Sequence, residues 1–525
     1  MTAPAVAAGA AVITALTDCG VRHVVVSPGS RSAPLARAAA AAEQRGDLVL
    51  HVRLDERSAG FLALGLAKVS GEPVAVMCTS GTAVVNLTPA VVEARYAGVP
   101  LVVITADRPP ELRGRGASQT IDQIDVFGRF PLAARDLPVP TDDDWSAAPV
   151  RELVATARRS SGPVHLNLPL RPPLVGPVTA MIGDSEPSSR RPTSEPRELV
   201  GEPRGAFLVG DLDLADDPIR QSILQQARLL GWPVIAEASS GLLGQPGVVP
   251  GGTATLADEV LRERLAADLV ITVGPFGLDR SVMRWLRLAR RHVAVRLRPR
   301  TDPPDPWDSA ESVVDGVPLV VGVEPDPTWM QEWAGLVGPD PSGWGIEEVA
   351  ATVWQTLTPD DLLVVASSSA IRALAAVARG PGPRVLANRG ANGIDGLVST
   401  AWGAAVAHGG RTVALLGDLA FLHDTNGLLV PESEPRPHLT YVVADNNGGG
   451  IFAGLEQGAP EYSDTFDRIF GTPHDRDLVA LISSHRVHAT SVTEATGLSA
   501  ALAEPGPGVT AVVATLPSVA RTRGS

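Results

Sequence analysis

Short apolar runs alternate with helical stretches along almost the whole chain, and this rhythm restricts the fold more than any other feature. Residues 21–26, 48–54, 74–79, 101–106 and 164–168 read as strands, with helices over roughly 32–44, 56–69 and 82–96 between them. The runs are nearly continuous in Val, Leu, Ile and Ala rather than alternating with polar residues, as expected of strands buried on both faces of a parallel sheet. The same alternation returns in a second block (206–209, 234–238, 269–273, 293–297) and a third (362–366, 412–416, 439–444). Strands separated by helices imply doubly wound α/β layers. With 525 residues, too many for one core, the expectation is three doubly wound parallel-sheet domains at 1–185, 200–345 and 350–525. Residues 181–204, rich in Pro, Ser and charge, read as a linker. The Pro-, Asp-, Gly- and Trp-dense stretch 299–345 is expected to have little regular structure.

Composition removes several classes. The net charge of −14 gives no reason to expect a nucleic-acid or anionic-membrane partner, and no apolar run is long enough to span a bilayer. The chain has one lysine, Lys68, so a P-loop is absent and a Schiff base would have to use a residue of ordinary helical pattern. No Gly-x-Gly-x-x-Gly follows a strand, which argues against a nicotinamide dehydrogenase. Cys19 and Cys78 sit in apolar surroundings without metal spacing and read as buried reduced thiols, consistent with a cytoplasmic protein. Residues 4–16 have the length of a signal core but no basic residues ahead of them, and are expected to form a first amphipathic helix. His23, His51, His408 and His423 show no metal-ligand spacing.

The third block carries the chemistry. The run 412–416 ends on Gly417-Asp418, and 439–444 ends on Asp445-Asn446-Asn447-Gly448-Gly449-Gly450. Two strand ends thus offer a carboxylate, an amide oxygen and glycine backbone that a phosphate can approach. This is a hard-oxygen donor set suited to Mg²⁺ with room left for phosphate oxygens. A Gly-Asp turn alone can end any α/β strand; the asparagine pair about 27 residues further on gives it specific content.

That spacing resembles the diphosphate signature of thiamine diphosphate enzymes. The resemblance implies that Gly417 and Asp418, the amide of Asn446 (with Asn447 the other candidate) and the carbonyl of Gly448 hold Mg²⁺, or Mn²⁺, and the coenzyme diphosphate. Five segments, 27–36, 51–94, 101–123, 388–403 and 417–452, together resemble the 2-succinyl-5-enolpyruvyl-6-hydroxy-3-cyclohexene-1-carboxylate (SEPHCHC) synthase family of menaquinone biosynthesis. The Thr105-Ala106-Asp107-Arg108-Pro109-Pro110-Glu111-Leu112 run is its most specific motif here.

By this resemblance Glu56 is the catalytic carboxylate that hydrogen-bonds the aminopyrimidine N1′ of the coenzyme, and Ile394 is the apolar residue that props it in a bent conformer. The implied transferase (carboligase) reaction decarboxylates 2-oxoglutarate and adds the resulting four-carbon unit to isochorismate. Both substrates are dianions, which arginine forks bind well. Matching motifs gives Arg31, Ser32, Arg108, Gln119, Ser368, Arg372 and Arg389 as substrate contacts, with Ile451 and Phe452 lining the pocket. Arg280 joins them, although Asp279 precedes it where the family often has lysine. In the superfamily Glu56 and Asp418 meet across a subunit boundary, which implies a homodimer or homotetramer. The alternatives are another thiamine diphosphate decarboxylase or carboligase, such as an acetohydroxyacid synthase, or a non-catalytic scaffold of the same fold.

Overall fold

The computed structural model describes residues 3–141, 145–177, 197–297 and 304–518, which fall into two compact units. One draws on Met1–Pro192, Gly390–His408 and Asp424–Pro437; the other on Thr193–Arg389, Gly409–His423 and His438–Ser525.

The first unit is built on β1 (His23–Val26), β2 (Val49–Val52), β3 (Val74–Cys78), β4 (Leu101–Asp107), β5 (Ala133–Asp136) and β6 (Val164–Pro169). They pair in the order β2-β1-β3-β4-β6-β5, every pair parallel. β3, β4 and β6 are buried at every position, as expected of central strands in a parallel sheet covered on both faces. One face packs under helices Pro4–Asp18, Ala33–Gln44 and Ala148–Ser160 through Ile13, Leu16, Leu35, Leu153 and Val154. The first of these is the helix expected at 4–16.

The other face is covered by helix Glu56–Ser70, which packs on β1 and β3 and crosses helix Leu397–His408. Positions 58–67 of the first helix and 397–405 of the second are all buried. The crossing depends on two glycines. A Cβ at Gly65 would run into the Thr400 carbonyl, and one at Gly403 into the Leu62 carbonyl. Backbone against backbone leaves no side chain to give way. Gly403→Ala is therefore expected to destabilise the protein by about 1–3 kcal/mol, seen as a lower thermal midpoint. An unchanged midpoint would mean that the crossing tolerates a methyl group.

Polar groups tie the same layers. Asp424, wholly buried, accepts hydrogen bonds from the Ser58 hydroxyl (3.2 Å) and the Ser399 N–H (2.7 Å). Burial pushes its carboxyl up to about 6. Arg53 pairs with Glu434 at 3.0 Å, both nearly inaccessible, and lies 5.5 Å from the Trp402 ring centre. Glu93 accepts the backbone N–H groups of Gly390 (2.8 Å) and Ala391 (2.6 Å).

The second unit holds two large parallel sheets. The first runs β12-β11-β10-β8-β9, where β8 is Gly205–Val209, β9 Val234–Ala236, β10 Leu269–Val273, β11 Arg291–Arg296 and β12 Ser312–Asp315. The second runs β15-β14-β16-β17-β19-β18, where β14 is Leu362–Val365, β15 Arg384–Leu386, β16 Thr412–Gly417, β17 Leu439–Asp445, β18 His488–Val492 and β19 Val509–Thr515. Counted within its own segment, this sheet has the order 2-1-3-4-6-5, the same as the first unit's sheet.

Four expectations need correction. The stretch 299–345 contains β12, β13 (Leu319–Val321) and a helix Trp329–Trp333. Two of its tryptophans are core residues: Trp329, and Trp285 from outside the stretch, both stack edge-on against Trp333, and the Trp329 indole N–H donates to the Gly205 carbonyl. The expected linker 181–204 lies outside the described residues up to 196, but its end forms β7 (Glu198–Val200), paired with β13. The helix expected at 82–96 is two helices, Thr82–Asn86 and Thr88–Ala97, divided at Leu87 with Pro89 in the first turn of the second. Cys19 is only partly buried, unlike Cys78, and neither forms a disulfide. Among the described residues no helix is long and apolar enough to cross a membrane.

Candidate active site

Parallel sheets present their chemistry at the carboxyl ends of their strands, and here the singled-out residues collect there. After β16, Asp418 opens a short helix. Its Oδ1 accepts the Leu419 N–H (2.6 Å) and its Oδ2 the Gly448 N–H (2.7 Å) from the loop after β17. Burial, opposed by these N–H groups, pushes its carboxyl up to about 6.

The loop decides which asparagine faces this carboxylate. Asn447, at φ 61°, is committed elsewhere: its amide N–H donates to Asp475 (2.8 Å) and its oxygen accepts the backbone N–H groups of His474 (3.1 Å) and Asp475 (2.8 Å). Asn446 instead directs one terminal amide atom to within 3.2 Å of Asp418 Oδ2 and 2.9 Å of the Gly448 carbonyl oxygen. That atom faces acceptors only. As nitrogen it donates to both; as oxygen it completes a face of three oxygens. The spacing of these atoms matches neighbouring ligands of a cation whose metal–oxygen distance is about 2.1 Å, as for Mg²⁺. The donor set therefore fits the implied metal. Gly448, at φ 139°, lies so close to the Gly471 carbonyl that a side chain there is excluded.

Two further groups enter the same cluster. Asp445 Oδ1 and Asp418 Oδ2 lie 3.4 and 3.3 Å from His474 Nε2. Among the described residues this is the one grouping of three His, Cys, Asp or Glu side chains whose ligand atoms converge. The sequence reading passed over His474, because it is 56 residues from Asp418 and reaches it only through the fold of the intervening loop.

Glu56 stands in the first turn of its helix, after β2. Asp55 caps that helix, accepting the Arg57 N–H (2.8 Å), and is itself held by the Asn426 amide (2.8 Å). Half-burial raises the Glu56 carboxyl above the usual range; the helix N–H groups oppose this and Asp55 adds to it. The Cys78 thiol, at the end of β3, is pushed up by burial and then by the charge of Glu56.

The arginines form two sets. In the first unit, Arg108 donates to the Ser80 hydroxyl (2.7 Å), and Gln119, at φ 55°, donates to the Ser80 carbonyl (2.9 Å). Arg31 donates to the Leu170 carbonyl (2.6 Å); burial and then the neighbouring Arg108 charge lower its proton affinity. Ser32 is buried, with its hydroxyl donating to the Gly29 carbonyl (3.1 Å).

In the second unit, Arg372 donates to the carbonyls of Leu278 (3.0 Å) and Ser368 (2.7 Å), with Arg389 close enough to lower its proton affinity further. Ser368 holds φ 76° and ψ −128°, a strained conformation for a residue with a Cβ and characteristic of ligand-contact sites. Glu237, which no sequence signal marked, is fully buried. Its Oε1 accepts the N–H groups of Gly277 (2.6 Å) and Leu278 (2.7 Å), and its Oε2 lies 3.9 Å from Arg389. Arg280 is largely exposed, 4.0 Å from Glu456. Ile394, Ile451 and Phe452 are half-buried, and Phe452 packs on Phe470.

Residues 6–126 match the thiamine pyrophosphate enzyme N-terminal TPP binding domain, and residues 369–513 the corresponding C-terminal TPP binding domain. A protein of Rhodococcus jostii (strain RHA1) named 2-succinyl-5-enolpyruvyl-6-hydroxy-3-cyclohexene-1-carboxylate synthase is 44% identical, spanning 92% of this chain and 91% of that protein. Proteins of the same name from Nocardia farcinica (strain IFM 10152) and Mycobacterium avium (strain 104) are 42% and 41% identical. They span 92% and 95% of this chain, and 91% and 94% of their own lengths. Similarity at this level from end to end carries one conclusion: the chain belongs to the SEPHCHC synthase family of thiamine diphosphate enzymes.

Proposed function

We propose that this protein decarboxylates 2-oxoglutarate on thiamine diphosphate and joins the four-carbon product to isochorismate, giving SEPHCHC and CO₂ in menaquinone biosynthesis. The observation that carries the reading is the placing of an Asp418 carboxylate oxygen and the Gly448 carbonyl oxygen around one terminal atom of the Asn446 amide, in a chain whose relatives bear the synthase name. These three groups would hold Mg²⁺, or Mn²⁺, beside the coenzyme diphosphate, with Gly417 giving the diphosphate room.

When bound, thiamine diphosphate supplies the electron sink for the decarboxylation and carbon–carbon bond formation. The chain supplies the rest. Glu56, its proton affinity raised by burial, would hold and exchange a proton at the aminopyrimidine N1′. Ile394 would supply apolar support to the coenzyme. Arg31, Arg108 and Gln119, with Ser32 beside them, form one anion-binding set; Ser368, Arg372, Arg389 and the exposed Arg280 form another. Each set offers fixed cations of the kind that a dicarboxylate substrate requires. Ile451 and Phe452 would keep water from the reacting carbon, since early protonation would give succinic semialdehyde instead.

The reading includes three domains (1–185 binding the pyrimidine, 200–345 central, 350–525 binding the diphosphate), a homodimer or homotetramer with active sites at the subunit interface, and a cytoplasmic location. The test is to incubate the full chain with thiamine diphosphate, Mg²⁺, 2-oxoglutarate and isochorismate, and to identify the product by mass. Comparable turnover of pyruvate alone would move the assignment to an acetohydroxyacid synthase or simple decarboxylase. A chain that takes up neither coenzyme nor metal by calorimetry would be a scaffold.

A further inference from the structure

We propose that His474 is a positioning residue of the metal cradle, acting as a hydrogen-bond donor to the ligating carboxylate rather than as a ligand. This rests on the metal site assigned above and extends it to a residue outside the Asp-Asn-carbonyl set.

Three contacts fix the imidazole. Its own backbone N–H is held by Asn447 Oδ1 (3.1 Å), so the asparagine that does not face the metal positions the histidine that does. Its Nδ1 accepts the Arg476 backbone N–H (3.0 Å). In the neutral ring the proton then resides on Nε2. Nε2 in turn lies 3.3 Å from Asp418 Oδ2, a long hydrogen bond, and 3.4 Å from Asp445 Oδ1, within ion-pair reach.

A carboxylate offers about four lone-pair directions. On Asp418, Oδ1 accepts the Leu419 N–H and Oδ2 the Gly448 N–H; His474 adds a longer contact to Oδ2, the oxygen that also faces Asn446. Without the imidazole, Asp418 and Asp445 would face each other with no N–H between them. The repulsion would favour turning Asp418 away from Asn446 and Gly448. Supporting hydrogen bonds of this kind typically contribute 10–100-fold to metal affinity.

The experiment uses the full chain with thiamine diphosphate present and measures Mg²⁺ and Co²⁺ affinity by calorimetry for the wild type, His474→Gln and His474→Met. Glutamine places an amide N–H near the Nε2 position; methionine fills the volume without a donor. Methionine is expected to weaken both metals by roughly 10–100-fold, and glutamine to stay within about threefold of the wild type on the same scale. Wild-type affinity in the methionine variant, or glutamine as weak as methionine, would overturn the proposal. So would a methionine variant that loses Co²⁺ far more than Mg²⁺, since that is the pattern of a direct nitrogen ligand. If the wild type itself binds no Mg²⁺, the metal site falls and His474 with it; failure in the variants alone leaves the site standing.

Discussion

Glu56→Gln is expected to lower turnover by roughly 10²–10⁴ while thiamine diphosphate and Mg²⁺ still bind. The substitution is close to isosteric and leaves the helix start intact, because Asp55 rather than Glu56 provides the cap. What is lost is a proton-exchanging group. A buried amide can hydrogen-bond but cannot shuttle a proton at neutral pH. The half-buried position that raises the carboxyl also brings its proton affinity nearer to the working range, where such exchange is most effective. Turnover of 2-oxoglutarate plus isochorismate, alongside calorimetric coenzyme affinity, separates the two effects. Near-normal turnover with intact coenzyme binding would remove Glu56 from the role.

The second large effect is expected of Asp418→Ala. Loss of a ligating carboxylate should reduce Mg²⁺ affinity beyond the roughly 10–100-fold that a supporting residue provides. Coenzyme retention and turnover should fall with it. The unliganded protein should melt within a few degrees of the wild type, because two opposing changes meet there. Alanine leaves the N–H groups of Leu419 and Gly448 without their acceptor. It also removes a buried carboxylate that burial and Asp445 both disfavour in its charged form. The decisive reading is thermal: wild type should gain stability with Mg²⁺ and coenzyme as RT ln(1 + [L]/Kd), and the variant should not. A variant that gains as much as the wild type would show that Asp418 is no ligand.

Much of the fold could be read from local pattern, and the losses have physical causes. β3, β4, β6, β8, β10, β14, β16 and β17 are apolar enough to be recognised alone. β5, Ala-Ala-Arg-Asp, is half-exposed at the sheet edge and has no such signature. Local pattern misses the order of 299–345 because it rests on contacts distant in sequence, Trp285 against Trp333 and the Trp329 indole on the Gly205 carbonyl. At the site, Asp418 and the asparagine pair were legible because strand ends place them. That Asn446 rather than Asn447 faces Asp418 is visible only in the folded loop, since Asn447 turns to a left-handed conformation and binds residues 474–475. Glu237 and His474 gave no signal, as each acts across a sequence gap that only folding closes.

The matching 2-1-3-4-6-5 winding of the two six-stranded sheets sets up an equivalence between their loops. Arg31 follows the first strand of one and Ser368 the first strand of the other; Glu56 and Arg389 follow the second, Ser80 and Asp418 the third, Arg108 and Asn446 the fourth. Superposing one module on the other would thus lay the proposed proton carrier over a proposed anion contact, and a hydroxyl over the proposed cation ligand. The winding repeats while its tips diverge, so each tip of one module has a counterpart at the same place in the strand order of the other.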